Sequence, residues 1–258
     1  MIVDSHCHLD FPQLCPDLDG VVARAQNAGV GVLQTICTKL SNLENIKKIS
    51  HSYDNIYYSI GVHPHEVEKE GVPAFEELLS LTEDRKAIGK GETGLDYYYE
   101  HSNRELQKQS FSNHIKVARE TGLPIIIHTR SAEEDTINIL KSEMSVAKFP
   151  GLIHCFTSTK ELAEECLDMG FYISVSGIIT FNNAKDLKEV IKTIPLERLI
   201  VETDSPYLAP VPMRGKSNEP SFIKYTVEYL ADLLGHTPEV IAEETTKNFF
   251  HLFQKARY

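Results

Sequence analysis

Apolar, strand-like segments alternate with segments of helical periodicity along the whole chain, and this alternation constrains the fold more than any other feature. Strands are expected where apolar and β-branched residues run together, and helices where apolar residues recur every three or four positions. Continuously apolar strands that alternate with helices pair in parallel and are buried on both faces. We count eight such strands, at residues 2–10, 30–38, 55–62, 86–92, 123–128, 151–156, 171–178 and 199–203.

Eight strand–helix units in a chain of 258 residues match an α/β fold of the (β/α)8 type, the TIM barrel. A doubly wound open sheet is the alternative, but it needs fewer strands or a second domain, and no linker rich in Pro, Gly or Ser divides the chain. Residues 1–258 are therefore predicted to form a single domain. Three helices are predicted to start at Ser-x-x-Glu capping boxes, which begin at Ser41, Ser131 and Ser158.

Side chains of metal-binding type stand at the ends of six of the predicted strands. In the first strand, positions i and i+2 share a face, so His6 and His8 point together while Cys7 points away. Active sites of (β/α)8 barrels lie at the carboxyl ends of the strands, which predicts one site for the whole set. In chain order the set is His6 and His8, His63 and His65, Glu92, His128, His154, and Asp204.

This donor set suits two divalent cations. A carboxylate has two oxygens and can bridge two ions, whereas an imidazole offers one free nitrogen. Two ions about 3.5–4 Å apart lower the pKa of a bound water and stabilise the attacking and leaving oxygens of a displacement. Asp204 is the best candidate to accept the proton of that water. We expect one ion at His6, His8, Glu92 and Asp204, and a second at Glu92, His128 and His154.

The identity of the two ions stays open. Imidazole ligands favour zinc or manganese over magnesium on affinity, but supply in the cell and an oxygen-rich substrate can reverse that order.

Six motifs at the strand ends are residues 4–10 (DSHCHLD), 61–65 (GVHPH), 91–97 (GETGLDY), 124–130 (PIIIHTR), 154–156 (HCF) and 202–208 (ETDSPYL). Together they resemble the motifs of the TatD family of metal-dependent deoxyribonucleases, in the same order along the chain. The resemblance implies an amidohydrolase-like barrel in which Glu92 bridges two metals where many relatives use a carboxylated lysine. It also implies hydrolysis of phosphodiester bonds in DNA by an exonuclease-like activity.

Four further side chains are candidates for substrate contact. His63 could contact the scissile phosphate or protonate the leaving oxygen, and the alternative is a histidine held by backbone carbonyls. Arg130 points to the mouth by strand alternation and could bind a phosphate with two nitrogens. Arg214 and Lys216, in a proline-rich loop at residues 211–220, could bind the nucleic-acid backbone, or they could be solvated charges.

Two neighbouring stretches are open to more than one interpretation. His65 is expected at the rim, in a structural role. Asp96 and the tyrosines at residues 97–99 could stack or orient a base, or pack as a loop on the rim. Residues 89–94 formally fit the dinucleotide fingerprint G-x-G-x-x-G, but no helix follows and Glu92 lies inside it. These glycines are instead expected to let the backbone turn while presenting Glu92.

Composition narrows the class of protein. A formal net charge of -11 and a pI near 5.5 argue against a broad basic surface for nonspecific nucleic-acid binding.

Five cysteines without a C-x-x-C motif do not form a disulfide framework and predict a reducing, cytoplasmic location. Cys15, Cys37 and Cys166 are expected to be buried thiols. No apolar run approaches the ~18 residues of a membrane span, and a monomer without an obligatory protein partner is expected.

These observations favour a divalent-metal-dependent hydrolase that cleaves phosphodiester bonds at the 3′ ends of nucleic acid, with DNA as the expected substrate. The alternative is a hydrolase with the same metal centre and another substrate: an RNA 3′ end, the ester of an aminoacyl-tRNA, an amide or a lactone. A noncatalytic metal-binding protein ranks last, because structural zinc sites are closed and usually rich in sulfur.

Overall fold

The computed structural model describes residues 1–257, in which eight parallel strands form one sheet. Each strand pairs with the next along the chain, so the spatial order is the sequence order. The strands are β1 (Ile2–Cys7), β2 (Val30–Thr35), β3 (Ile56–Ile60), β4 (Ala87–Asp96), β5 (Ile125–Arg130), β6 (Gly151–Ile153), β7 (Tyr172–Val175) and β8 (Leu199–Val201).

The first and last strands approach each other and bring the sheet close to closure. Cys7 and Ser205 form a parallel bridge. The backbone N–H of His8 donates to the carbonyl of Ser205 (2.8 Å), and the N–H of Asp204 donates to the carbonyl of His6 (2.9 Å). Helices lie between consecutive strands, so the structure is a (β/α)8 barrel and the predicted fold is confirmed. The carboxyl ends of all eight strands therefore meet at one mouth.

The helices largely follow the predicted periodicity, and Arg104–Thr121 has the predicted bounds. Within residues 1–257 the α-helices are α1 (Leu18–Asn27), α2 (Leu43–Ser52), α3 (Val67–Glu70), α4 (Phe75–Ser80), α5 (Arg104–Thr121), α6 (Glu133–Val146), α7 (Lys160–Asp168), α8 (Lys185–Ile191), α9 (Ile223–Leu234) and α10 (Pro238–Leu252).

The three predicted capping boxes are wrong, because α2 and α6 have no side-chain hydrogen bond at the N-cap and α7 is capped by another residue. Ser41 binds the carboxylate of Glu70 instead of the first turn of α2. Ser158 donates to Glu133, and the side chain of Thr159 caps α7 by accepting from the N–H of Leu162. A short polar side chain bonds whichever group tertiary packing brings near, so the four-residue pattern did not fix the helix start.

Strand β4 is longer than predicted, because the glycine-rich stretch continues it rather than ending it. Gly91 and Gly94 have φ values of +139° and +135°, a region that side chains with a Cβ rarely adopt. A Cβ on Gly91 would lie 2.5 Å from the carbonyl oxygen of Ile126, and one on Gly94 would overlap the carbonyl of His128. These glycines allow β4 to pack closely against β5 at the level of Glu92.

Helix α10 closes the amino end of the barrel. Phe249 and Phe253 are fully buried in a cluster with strand residues Val3, Val32 and Ile126. Aromatic side chains fill the barrel at this end, so the interior is packed there. The polar side chains of the strands therefore face the opposite end, the mouth.

No helix among residues 1–257 is both long enough and apolar enough to cross a membrane. All five cysteines are free thiols. Cys37 and Cys166 are buried as predicted, but Cys15 is exposed, because it lies in a short 3-10 turn before α1 and not in an element of the core.

Lys86 ties the end of α2 to β3. Its ammonium group is buried and donates to the carbonyls of Ser50 (2.7 Å), Ile56 (3.2 Å) and Tyr53. We expect Lys86→Met to lower the free energy of unfolding by about 1.5–3 kcal/mol, because three carbonyls lose the charged donor that links them. Urea unfolding measures this change.

Lys90→Met is the matched control. Lys90 is also fully buried, but in the described part of the chain its ammonium makes one recorded hydrogen bond, to the carbonyl of Leu78 (3.1 Å). A methionine of similar length replaces it with little loss, so the expected change is below about 1 kcal/mol. Equal losses in the two variants would contradict the assignment of Lys86 as a carbonyl clamp.

Candidate metal centre

Glu92 lies at the centre of the mouth and is shared by four histidines. Its Oε1 atom lies 3.3 Å from Nε2 of His63, 3.1 Å from Nδ1 of His128 and 3.0 Å from Nε2 of His154. Its Oε2 atom faces the other side, 3.3 Å from Nε2 of His6. The two oxygens of Glu92 therefore divide the histidines between two sides of the site.

Asp204 completes the side of the site that His6 occupies. Oδ1 of Asp204 lies 3.6 Å from Nε2 of His6 and 3.4 Å from Nε2 of His8. The His6 and His8 rings are 5.0 Å apart, as their spacing along β1 predicts. The structure thus brings all six predicted metal ligands together around one carboxylate. Their roles as ligands stay a prediction.

The donor set fits a bound divalent cation. Both ring nitrogens of His6, and Nδ1 of His8, are buried and have no hydrogen-bond partner in the described structure. A buried polar nitrogen without a hydrogen-bond partner costs free energy, so these nitrogens indicate that another group binds to them. Neutral imidazole and carboxylate donors suit zinc and manganese, and because none of the six predicted ligands is a cysteine the set is unlike a structural zinc site.

Two further carboxylates orient the histidines. Oε1 of Glu202 lies 3.0 Å from Nδ1 of His154, and Oδ2 of Asp96 lies 3.0 Å from Nε2 of His128. Each carboxylate accepts a hydrogen bond from the ring N–H on its side, so the nitrogen that faces Glu92 is the one available to a cation. This is the usual support of a metal-binding histidine.

His63 is oriented differently. Its Nδ1 accepts a hydrogen bond from the backbone N–H of His65 (3.1 Å), so in the neutral ring the proton is on Nε2. That Nε2 points at Glu92 as a donor, whereas the far ring nitrogens of His128 and His154 bond carboxylates, so the nitrogens that face Glu92 can exchange a proton for a cation. His63 is therefore arranged to donate a hydrogen bond rather than to bind a cation.

The charges of the site result from burial opposed by neighbours. Burial alone raises the pKa of Glu92, but attraction by His154 and His63 and a hydrogen bond from His128 hold it well below its usual value. Burial lowers the pKa of His63 to about 4. Burial also lowers the pKa of His6, and nearby His154 adds to the shift. Glu92 is thus anionic and His6 is neutral, the forms that bind a cation.

Comparisons with known proteins identify the family of the chain. The family model "TatD related DNase" matches residues 3–254. The chain is 44% identical over 255 residues to the uncharacterized metal-dependent hydrolase YcfH of Escherichia coli K12, covering 98% of this chain and 95% of that protein. The chain belongs to the TatD family.

Other members extend the comparison. YabD of Bacillus subtilis, also named an uncharacterized metal-dependent hydrolase, is 42% identical over 98% of this chain and 99% of its own. A 3'-5' ssDNA/RNA exonuclease TatD of Escherichia fergusonii is 31% identical, covering 97% and 98%. The crystal structure of the TatD homologue YJJV of Escherichia coli superimposes with a TM-score of 0.91 at 29% identity, covering 98% of each chain.

The three cationic side chains predicted to bind substrate have different surroundings in this TatD-family structure. The guanidinium of Arg130 lies over Tyr98 (4.2 Å) and Tyr99, beside the mouth, and that of Arg214 lies over the ring of Phe181 (3.7 Å). Lys216 is exposed on the loop after β8. None of these positions tests substrate binding, which stays a prediction for all three.

Two functional candidates of the TatD-family site were missed from the sequence. The sequence suggests only base contact or packing at the rim for Asp96, and it assigns no role to Glu202. Both lie an even number of positions from a predicted ligand, four after Glu92 and two before Asp204. Strand alternation was the available signal, and it placed these carboxylates on the ligand face.

His114 supports the backbone between the end of β3 and His63. Its Nδ1 lies 2.8 Å from the carbonyl of Ser110, and its Nε2 accepts from the N–H of Val62 (3.2 Å). A carbonyl only accepts and an N–H only donates, so both contacts need the neutral ring. Burial lowers the pKa of His114 to about 4.

The stability of the metal-free protein should therefore depend on His114. Between pH 6.5 and 4 the unfolded chain protonates His114 and the folded chain does not, so this group lowers the free energy of unfolding by about 3 kcal/mol as pH falls. Urea unfolding in EDTA should show a shallower pH dependence for His114→Gln than for wild type. His251→Gln, at an exposed position, should leave the dependence unchanged. Parallel profiles for wild type and His114→Gln would exclude this contribution.

Proposed function

We propose that residues 1–258 form one hydrolase domain that binds two divalent cations and removes nucleotides from the 3′ end of single-stranded nucleic acid. The observation that carries the proposal is the position of Glu92, whose two oxygens face different histidines at an open barrel mouth. A shared carboxylate of this kind is the usual bridge of a two-metal hydrolytic site.

The proposed ligands follow from the contacts of Glu92 and Asp204. When bound, the two cations would activate a water and neutralise charge on the phosphate. Zinc, manganese and magnesium are the candidate ions. One cation would be held by His6, His8, Glu92 and Asp204, and the other by Glu92, His128 and His154.

The protein's own side chains carry out proton transfer and substrate binding in this proposal. Asp204 accepts the proton of the attacking water on its carboxylate. Burial raises the pKa of this group, but the hydrogen bond with His8 and the nearby histidines outweigh burial and keep the group anionic. Nε2–H of His63 donates a hydrogen bond to a phosphoryl oxygen, a role that its tautomer favours. Arg130, Arg214 and Lys216 are the proposed cationic contacts to the strand.

The name of one relative supports the substrate class. The Escherichia fergusonii protein is called a 3'-5' ssDNA/RNA exonuclease, and it matches this chain over almost its full length. The net charge of -11 favours the second candidate, a hydrolase of an uncharged amide, lactone or aminoacyl ester, because an acidic surface repels polyanions. We place nucleic acid first and propose that a monomer suffices.

The test is a degradation assay with each substrate class. Purified protein is incubated with 5′-labelled single-stranded DNA, the same sequence as RNA, and an aminoacyl-tRNA, with added magnesium, manganese or zinc. The expected result is a ladder of DNA or RNA shortened from the 3′ end, absent in EDTA and in Glu92→Gln. Intact nucleic acid together with release of the amino acid from tRNA would overturn the proposal in favour of the second candidate.

A further inference from the structure

Tyr98, Tyr99 and Arg130 form an exposed surface beside the mouth, which we call the aromatic shelf. Tyr98 is 61% exposed and Tyr99 is 49% exposed, although large aromatic side chains are normally covered. Their rings are 4.8 Å apart at 87°, and the guanidinium of Arg130 lies 4.2 Å from the first and 4.7 Å from the second. The shelf thus presents π faces and a cation together.

One buried carboxylate fixes the shelf to the metal centre. Oδ1 of Asp96 accepts the backbone N–H groups of Tyr98 and Tyr99, both at 3.0 Å. Oδ2 of the same residue lies 3.0 Å from Nε2 of His128. Asp96 is fully buried, and its two neighbouring histidines hold its pKa low against the effect of burial. The shelf backbone and a predicted metal ligand therefore keep a fixed relation.

A series of rings joins the shelf to Glu92. His63 lies 3.3 Å from Glu92, its ring is 4.4 Å from that of His65, and the His65 ring is 5.4 Å from that of Tyr99. His101 extends the surface, parallel to Tyr99 at 5.5 Å and 4°. The shelf is thus two rings away from the carboxylate at the centre of the site.

We propose that the aromatic shelf stacks an unpaired base of the strand whose phosphodiester lies at Glu92. This inference rests on the proposed function and deepens it, because it states what the substrate must present. Base stacking on aromatic rings accepts every base, since every base has a π face. A paired base inside a duplex has both faces covered, so the shelf selects single-stranded ends without sequence preference. Arg130, whose guanidinium lies over part of both rings, adds a cation beside the strand.

The experiment compares ring-removing and ring-keeping variants. Tyr98→Leu and Tyr99→Leu each raise KM for a single-stranded oligonucleotide by about 5-fold to 100-fold and leave kcat nearly unchanged. Tyr98→Phe and Tyr99→Phe stay close to wild type, because the ring remains. Tyr53→Leu, which changes a tyrosine at the amino end of β3, is the control and has wild-type KM.

Substrate variants separate the outcomes. On an oligonucleotide with abasic residues at its 3′ end, wild type and the leucine variants are expected to share one KM, because no base is there to stack. Equal KM values on the intact oligonucleotide would overturn the shelf while leaving the proposed function standing. If wild type cleaves no nucleic acid at all, the proposed function fails first. The affinity of Glu92→Gln for single-stranded DNA, measured with and without the leucine substitutions, then tests the shelf by itself.

Discussion

Replacing Glu92 with glutamine should lower the rate of hydrolysis by at least about 10³-fold. Within residues 1–257, Glu92 is the one carboxylate that contacts both sides of the predicted site, through His6 on one oxygen and His154 on the other. An amide keeps one acceptor oxygen but places an NH2 group where the second oxygen stood, and it carries no negative charge. The variant therefore cannot bridge two cations.

Metal analysis after dialysis gives the direct measurement. Wild type is expected to retain close to two ions per chain and Glu92→Gln one or none. Glu66→Gln is the matched control, because Glu66 is a carboxylate near the mouth that pairs with Lys39 (3.3 Å). It should keep both the ions and the activity. Full metal content and full activity in Glu92→Gln would remove Glu92 from the centre of the mechanism.

Replacing Asp204 with asparagine should lower kcat by about 10²-fold to 10⁴-fold with a smaller effect on metal content. The amide oxygen still faces His8 and can still bind a cation, but an amide does not accept a proton from water. Asp204 has a φ of +55°, a region that asparagine tolerates well, so the backbone should keep its conformation. Steady-state kinetics and metal analysis of the same preparation check both parts.

Asp204→Ala separates the two roles of this carboxylate. Alanine removes the ligand atom together with the proton acceptor, so this variant should lose metal as well as activity. If Asp204→Asn keeps its metal and stays within about tenfold of the wild-type kcat, another group accepts the proton.

Much of the fold and the composition of the site followed from periodicity. Eight apolar segments predicted eight parallel strands, and the closing contact between Cys7 and Ser205 agrees with that count. Helix α5 has the predicted bounds, and the structure gives the reason for its sharp ends: Asn103 caps it and Gly122 ends it in a left-handed conformation. Strand ends were less accurate: β4 continued through its glycines, whose close contacts with β5 exist only in the folded barrel.

The direction of each ring nitrogen did not follow from periodicity. Strand alternation assigns a side chain to a face, but it does not say which atom of the ring turns toward a neighbour. Glu202 sets that choice for His154, and the N–H of His65 sets it for His63. These partners lie on another strand or in a loop, so only packing brings them into contact. The same is true of Arg130, which strand alternation directs to the mouth and whose guanidinium packing sets over two tyrosines.

The sequence by itself determined the barrel and the set of side chains gathered at its mouth. It could do so because parallel strands carry every carboxyl end to the same edge, which converts positions along the chain into one neighbourhood. The tertiary structure alone decided which oxygen of Glu92 faces which histidine, which carboxylates orient those histidines, and where the aromatic shelf stands. Those features depend on distances of a few ångströms between side chains from different strands, and such distances are set by close packing rather than by periodicity.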